Sequence, residues 1–155
     1  EVTLEEELDG LEDYIYLQQM RFDGRITVEK QILVDPARAR LPSFTLQPVI
    51  ENAFSHGLKA CEEGGRILLR VWRQGRMLYV TVADNGKGMT EEELAALSEK
   101  MRQSEQTGKS IGLGNIFRRV SMLYPDTGKM QVFSRAGHGT VIRFEIPQGE
   151  EEERA

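Results

Sequence analysis

Cysteine and histidine, which proteins use most often for metal binding and redox chemistry, are almost absent from this sequence. The 155 residues include one cysteine, Cys61, and two histidines, His56 and His138. One cysteine cannot form an internal disulfide, and Cys61 has no cysteine neighbour with which to build a zinc site. The histidines are too few for a histidine-rich metal centre, and no Gly-x-Ser-x-Gly motif indicates a hydrolytic triad. Disulfide-stabilised, zinc-binding and triad-hydrolase functions therefore have no support in the sequence.

Long apolar runs and an excess of positive charge are also missing. No stretch approaches the roughly 20 apolar residues of a membrane-spanning helix, and the start does not resemble a signal peptide. Twenty basic and 25 acidic residues give a formal net charge of −5, which argues against a nucleic-acid-coating surface. With 39% hydrophobic residues, we expect this segment to be soluble and to form one globular domain.

The predicted elements alternate between helices and strands. Thr3 and Glu6 are spaced as a capping box before an amphipathic helix that reaches about Met20. In one interpretation, the apolar stripe of this helix packs on the domain's own core. In the other, the helix continues from an upstream dimerisation domain. The pattern further predicts strands at 25–35, 66–73, 77–83, 130–135 and 140–146, helices at 46–58, 90–102 and from about 114 to 123, and loops at 36–42 and 103–110.

Asp84 follows the strand at 77–83 and is the first candidate for ligand binding. A carboxylate at a strand end accepts a hydrogen bond from the exocyclic amine of adenine, and Gly86 and Gly88 let the backbone turn tightly beneath the base. Asp-Asn-Gly is also a common ordinary turn, so that alternative stays open.

Asn52, His56 and Lys59 fall at i, i+4 and i+7, on one face of the helix predicted at 46–58. Magnesium takes one or two hard oxygen ligands from protein, and the side-chain carbonyl of Asn52 is suited to this. His56 would then be a donor near the nucleotide, whereas in the alternative Asn52 caps backbone and His56 is a surface residue. Glu51 either polarises a metal-bound water or faces solvent.

Gly112 and Gly114 precede the helix that begins near residue 114. Unpaired backbone N–H groups and the positive end of the helix dipole favour a phosphate at such a position. The alternative is a flexible lead-in to the helix.

Taken together, these segments resemble the ATP-binding domain of sensor histidine kinases, which belongs to the gyrase, chaperone, histidine kinase and MutL ATPase superfamily. Residues 46–57 resemble the asparagine box, in its LytS/YesM-like form, and residues 84–89 and 111–116 resemble the two glycine boxes. Gly139-Thr140 is similar to the family's closing motif, and the likeness covers residues 2–147.

The resemblance implies an α+β fold, a two-layer α/β sandwich in which helices cover one face of a mixed, mostly antiparallel sheet (the Bergerat ATP-binding fold). It implies an ATP-binding domain at 23–148, an N-terminal helix at 1–22 leading to an upstream dimerisation domain, a disordered acidic tail at 149–155 and a lid at 103–110. It also implies catalytic roles for Glu51, Asn52 and His56, magnesium binding by Asn52, and ATP contacts from Asn52, His56, Lys59, Asp84, Gly86, Gly88, Met89, Gly112, Leu113, Gly114 and Thr140.

The function implied is transfer of the ATP γ-phosphate to a histidine in the dimerisation domain, from which a response regulator receives it. The whole protein would be a membrane-anchored bacterial homodimer with this domain in the cytoplasm. Two residues depart from relatives: Ser110 replaces a glycine common in the lid, and Pro48 stands where gyrase-type members have a catalytic glutamate. A nucleotide-sensing domain without phosphate transfer and a serine kinase of the anti-sigma type remain as alternatives.

Overall fold

The structure is a computed structural model that describes residues 1–58, 64–107 and 112–149. Within these ranges, none of the helices is long and apolar enough to cross a membrane. The strands are β1 Val2–Thr3, β2 Ile26–Ile32, β3 Arg40–Leu41, β4 Gly65–Gln74, β5 Met77–Asp84, β6 Lys129–Arg135 and β7 Gly139–Pro147. The helices are α1 Leu4–Arg21, α2 Leu46–Asn52, α3 Glu91–Thr107 and α4 Leu113–Leu123, and α2 continues as a π-helical turn at Ala53–Gly57.

The main sheet has five strands in the order β2-β4-β5-β7-β6. Strands β2 and β4 are parallel, and every other neighbouring pair is antiparallel. Burial alternates along the central strands, because successive side chains point to opposite faces of a strand. The helices cover one face of the sheet. The buried side chains on this face are Ile67, Leu69 and Val71 of β4 and Leu78, Val80 and Val82 of β5. The predicted two-layer α+β fold with a mixed, mostly antiparallel sheet is confirmed.

Helix α1 packs on the core of this chain. Leu4, Leu11 and Ile15 are buried, and the predicted capping box is present. The ring of Phe54, just after α2, lies 6.0 Å from the ring of Tyr14 on α1 and is 1% exposed. The apolar stripe of α1 therefore contributes to the domain's own core. Its connection to an upstream dimerisation domain stays a prediction.

Helix α3 is longer than predicted. It begins after the capping pair Thr90 and Glu93 and continues to Thr107, so residues 103–107 are helical rather than part of a loop. Residues 97–107 contain no glycine or proline to stop the helix, and the buried Met101 anchors it to the core. The other residues of the predicted lid, 108–110, include Lys109 and Ser110 and lie outside the described residues.

Two smaller differences concern the first half of the chain. The predicted loop at 36–42 contains β3, which pairs antiparallel with β1. A pair of two-residue strands has no sequence period of its own, so it could not be predicted from alternation. The helix predicted at 46–58 is α-helical only to Asn52 and then widens into the π-helical turn. Lys59 and Cys61 lie outside the described residues.

Candidate functional site

Asp84 is the last residue of β5 and is aligned with Thr140 on the neighbouring strand β7. It has the same strand parity as Val80 and Val82, so its side chain points towards the helical layer. The backbone N–H of Gly86 donates to Asp84 Oδ1 at 2.9 Å, and the backbone N–H of Thr140 donates to the same carboxylate. The structure therefore holds a half-buried carboxylate in a fixed orientation at the strand end.

The environment of Asp84 changes its acidity in two opposing ways. Desolvation by burial is the larger effect and raises the pKa of Asp84 above its ordinary value. The N–H groups of Gly86 and Thr140 stabilise the anion and act in the opposite direction. A half-buried carboxylate that has lost part of its water is suited to a ligand N–H donor.

Four glycines lie around Asp84 at positions where neighbouring atoms leave no room for a Cβ. A Cβ on Gly57 would lie 2.9 Å from the Asp84 carboxyl carbon, and a Cβ on Gly139 would lie 2.0 Å from the backbone oxygen of Asp84. A Cβ on Gly86 would lie 1.8 Å from the carbonyl oxygen of Gly57, and a Cβ on Gly88 would lie 2.0 Å from the carbonyl oxygen of Arg135. Gly86 and Gly88 thus permit close backbone approach next to Asp84, and their role in shaping an adenine pocket stays a prediction.

The end of the π-helical turn is attached directly to the turn after Asp84. The N–H of Lys87 donates to the Gly57 carbonyl at 3.0 Å. This bond brings the helix bearing Asn52 and His56 to the Asp84 turn. Asn52 is half-buried and His56 is exposed. π-Helical turns of this kind occur frequently at functional sites.

Glu51 has a partner on its own helix. Its Oε1 accepts a hydrogen bond from Gln47 Nε2 at 3.0 Å, and the side chain is half-buried. Its negative charge contributes, after burial, to raising the pKa of Tyr14. This contact does not distinguish between the two predicted roles of Glu51. A role in activating water stays a prediction.

Ser134 is a residue that the sequence reasoning missed. It is aligned with Thr140 across the β6–β7 hairpin, and their hydroxyl oxygens lie 2.9 Å apart. The Ser134 hydroxyl accepts a hydrogen bond from the Met89 N–H at 2.8 Å and donates to the Gly139 carbonyl at 3.0 Å. Ser134 therefore joins the turn at 84–89 to the closing hairpin. Only the register of the hairpin reveals this role, since serine in a strand carries no motif. Gly57 was likewise missed as a contact of Asp84.

The second glycine-rich segment lies at the start of α4. Gly112 is the N-cap residue with φ +68°, and no described side chain caps the helix. Leu113 is 8% exposed and Gly114 is buried, so Leu113 anchors this helix end in the core. Among the described residues, no hydrogen bond joins 112–114 to the cluster around Asp84. The structure thus gathers Asp84, Gly86, Gly88, Met89 and Thr140 into one cluster and places 112–114 on a separate element.

The described residues contain no group of three or more His, Cys, Asp or Glu side chains that could hold a metal ion. The side-chain oxygen of Asn52 is one hard ligand on the helix that reaches Asp84. A magnesium ion is satisfied by one such oxygen when phosphate and water oxygens complete its octahedron.

Comparisons with known proteins agree with this geometry. Residues 43–150 match the family described as histidine kinase-, DNA gyrase B-, and HSP90-like ATPase. Sensor protein kinase HptS of Staphylococcus aureus is 30% identical over 146 residues, which cover 94% of this chain and 28% of HptS. The chain thus spans about 28% of the length of the curated relatives it matches.

Solved structures show the same fold. The catalytic domain of histidine kinase ThkA matches with a TM-score of 0.65 and 17% identity, covering 95% of each chain. Histidine kinase ThkA in complex with the response regulator protein TrrA matches with a TM-score of 0.62 and 20% identity, covering 97% of this chain and 42% of that one. At such identities the likeness concerns the arrangement of helices and strands.

Proposed function

Because this chain belongs to the histidine kinase-, DNA gyrase B- and HSP90-like ATPase family, whose nucleotide is ATP, we propose that it is the catalytic domain of a two-component sensor histidine kinase. It binds magnesium-ATP and donates the γ-phosphate to a histidine in an upstream dimerisation domain. The observation that carries this proposal is the half-buried Asp84 carboxylate, held by two backbone N–H groups and enclosed by glycines.

Asp84 reads the base in this proposal. Its carboxylate accepts a hydrogen bond from the exocyclic amine of adenine, a group that guanine does not present at that position. Gly86 and Gly88 allow the backbone segments around Asp84 to approach one another closely, and this packing shapes the base pocket in the proposal. Met89, whose N–H is fixed by Ser134, and Thr140, whose N–H orients Asp84, complete the pocket.

Asn52 and the start of α4 serve the phosphates. Asn52 supplies one oxygen to magnesium, which neutralises phosphate charge when bound, and His56 donates a hydrogen bond near the nucleotide. The unpaired N–H groups of Gly112, Leu113 and Gly114 face the phosphates, because α4 has no side-chain cap among the described residues. Lys59, outside the described residues, is proposed to add a positive charge.

The acceptor is an imidazole nitrogen, which needs positioning and charge neutralisation more than deprotonation. Pro48 occupies the third position of α2, where a hydrolytic relative of the gyrase type would have its glutamate. Glu51 shares its carboxylate with Gln47, and both features suit a kinase with weak water activation. His56 is an exposed residue of the π-helical turn and His138 lies between β6 and β7, and neither is the proposed acceptor.

The partners follow from this reaction. The dimerisation domain precedes α1 and supplies the histidine, and a response regulator takes the phosphate, as ThkA is solved with TrrA. We further propose a homodimer anchored in the bacterial cell membrane with this domain on the cytoplasmic side. Residues 1–22 form the connecting helix, 23–148 the ATP-binding domain and 149–155 an acidic tail, of which 150–155 lie outside the described residues.

The test is phosphate transfer with labelled ATP. The chain is fused behind a histidine-bearing dimerisation domain and incubated with ATP and magnesium. We expect an acid-labile, alkali-stable phosphoprotein whose label disappears when the acceptor histidine is replaced. Tight ATP binding without label would favour the nucleotide-sensing alternative. An acid-stable phosphoserine on an added protein substrate would favour the anti-sigma type kinase.

A further inference from the structure

We propose that Glu7 on α1 is a positioning residue for the nucleotide site. Its carboxylate fixes the first turn of α2, whose last residue is Asn52. Through this contact, the orientation of α1 controls where the magnesium ligand lies. This inference rests on the proposed function and deepens it, because it names a residue outside the three nucleotide-binding segments on which the magnesium site depends.

One carboxylate caps the start of α2 from a distant part of the chain. Glu7 Oε1 accepts a hydrogen bond from the Phe44 N–H. Glu7 Oε2 accepts from the N–H groups of Thr45 and Leu46, at 3.1 Å each. Thr45 is the N-cap residue but does not cap the helix itself, because its hydroxyl donates to the Pro42 carbonyl at 2.6 Å. Glu7 therefore satisfies the N–H groups of the N-cap residue Thr45 and of the first helical residue Leu46, which the helix itself leaves unpaired.

The backbone before α2 is shaped to receive this carboxylate. Phe44 has φ +60°, a left-handed conformation that is uncommon for a bulky residue, and Thr45 is right-handed with φ −93° and ψ −47°. Successive left- and right-handed residues turn their N–H groups towards one point and form a concave anion site. Left-handed strain at a non-glycine residue persists only where surrounding contacts stabilise it. Glu7 provides that stabilisation.

A cation holds the same turn from its carbonyl side. The Arg119 guanidinium on α4 donates to the Ser43 carbonyl and, at 2.7 Å, to the Phe44 carbonyl. The turn at 43–46 is therefore held between α1, through Glu7, and α4, through Arg119. Helix α4 begins at the proposed phosphate-facing segment, and α2 ends at Asn52, the proposed magnesium ligand. The two helices that serve the phosphates in this proposal therefore meet at the turn 43–46.

A shift of the turn would reach Asn52 because α2 is short. From Leu46 to Asn52 the helix rises only about 9 Å. Leu46, Val49 and Ile50 are fully buried, so α2 moves as one body with its first turn. The Asp84 carboxylate itself is held by N–H groups of Gly86 and Thr140, neither of which belongs to α2, although Gly57 after α2 contacts the Asp84 turn. Loss of Glu7 should therefore weaken the magnesium-dependent part of ATP binding and leave the preference for adenine intact.

The experiment is calorimetric titration of the 155-residue chain with ATP and magnesium, ATP and EDTA, and GTP with magnesium. We compare wild type, Glu7→Ala, Glu7→Gln and Asp9→Ala. We expect Glu7→Ala to weaken magnesium-ATP binding by about fivefold or more, with little change in EDTA and an unchanged ratio of ATP to GTP affinity. Glu7→Gln keeps one carbonyl oxygen as acceptor, so its magnesium-ATP affinity should lie between those of wild type and Glu7→Ala. Asp9→Ala removes an equal charge from the exposed side of α1 and should match wild type.

Amide hydrogen exchange provides a second measurement, made without nucleotide. In Glu7→Ala the N–H groups of Thr45 and Leu46 should exchange faster, while that of Thr140 should not. If Glu7→Ala does not fold, Glu7→Gln is judged by the same two measurements. Magnesium-ATP affinity equal to wild type, or a parallel loss of adenine preference, would overturn this inference alone. Failure of the folded wild type to bind ATP would overturn the proposed function and, with it, this inference.

Discussion

Asp84 and Thr140 lie opposite each other on β5 and β7, and the N–H of Thr140 donates to the Asp84 carboxylate. Thr140 also contacts the Ser134 hydroxyl on β6. Three adjacent strands therefore orient one acceptor before any ligand is present. A preformed acceptor loses little conformational entropy on binding, so it can contribute strongly to selectivity.

Asp84→Asn should weaken ATP binding by about 1–3 kcal/mol, because the new amide offers a donor where the proposed contact with the adenine amine needs an acceptor. Titration calorimetry with ATP, and with GTP as the base control, measures this. Asp126→Asn is the matched control, since Asp126 is an exposed carboxylate after α4. Unchanged affinity in a folded Asp84→Asn variant would place the adenine contact elsewhere.

The raised pKa of Asp84 predicts a pH dependence of stability. Burial makes the folded-state pKa higher than the unfolded value of about 4, so the folded chain binds this proton more tightly. The stability contributed by the proton is fully present below about pH 4 and is lost as pH rises through the folded pKa. The free energy of unfolding is measured with denaturant from about pH 4 upwards. As pH rises, that of wild type should fall relative to that of Asp84→Asn. A difference that stays flat with pH would contradict the raised pKa.

Gly86→Ala should destabilise the fold by about 3 kcal/mol or more, because its Cβ would collide with backbone rather than with a movable side chain. The matched control is Gly10→Ala on α1, where a Cβ meets nothing within 4 Å. That substitution should stabilise the chain by about 0.5–1 kcal/mol, since alanine favours a helix interior. Urea unfolding measures the free energy of unfolding of both variants. Equal changes in the two would show that a Cβ can be accommodated at Gly86.

Asn52→Ala should reduce magnesium-ATP affinity by roughly 1–3 kcal/mol while leaving binding in EDTA nearly unchanged. The physical reason is that the substitution removes the proposed magnesium ligand and none of the proposed base contacts. Titrations with and without magnesium measure the difference. A simultaneous loss of preference for ATP over GTP would mean that the roles assigned to Asn52 and Asp84 are not separate.

Much of this domain was predictable because its signals are local. The capping box of Thr3 and Glu6, the glycines after Asp84 and the alternation of β4 and β5 each occupy a few neighbouring residues. The resemblance to the histidine kinase ATP-binding domain is confirmed by the family match, while the LytS/YesM-like subtype stays a prediction. The prediction of a loop at 103–107 is wrong, because these residues are polar but still favour a helix and continue α3 to Thr107.

The sequence determined most of the order of the elements, though not the short pair β1 and β3, and it identified the residues proposed to carry the chemistry, since hydrophobic period, caps and glycine turns act over a few residues. The tertiary structure alone decided which distant groups meet: Glu7 with Thr45, Gly57 with Lys87, and Ser134 with Met89. Such contacts join residues 30 or more positions apart, here 45 − 7 = 38, 87 − 57 = 30 and 134 − 89 = 45. The packing of helices on a twisted sheet sets these meetings, and no local pattern encodes them.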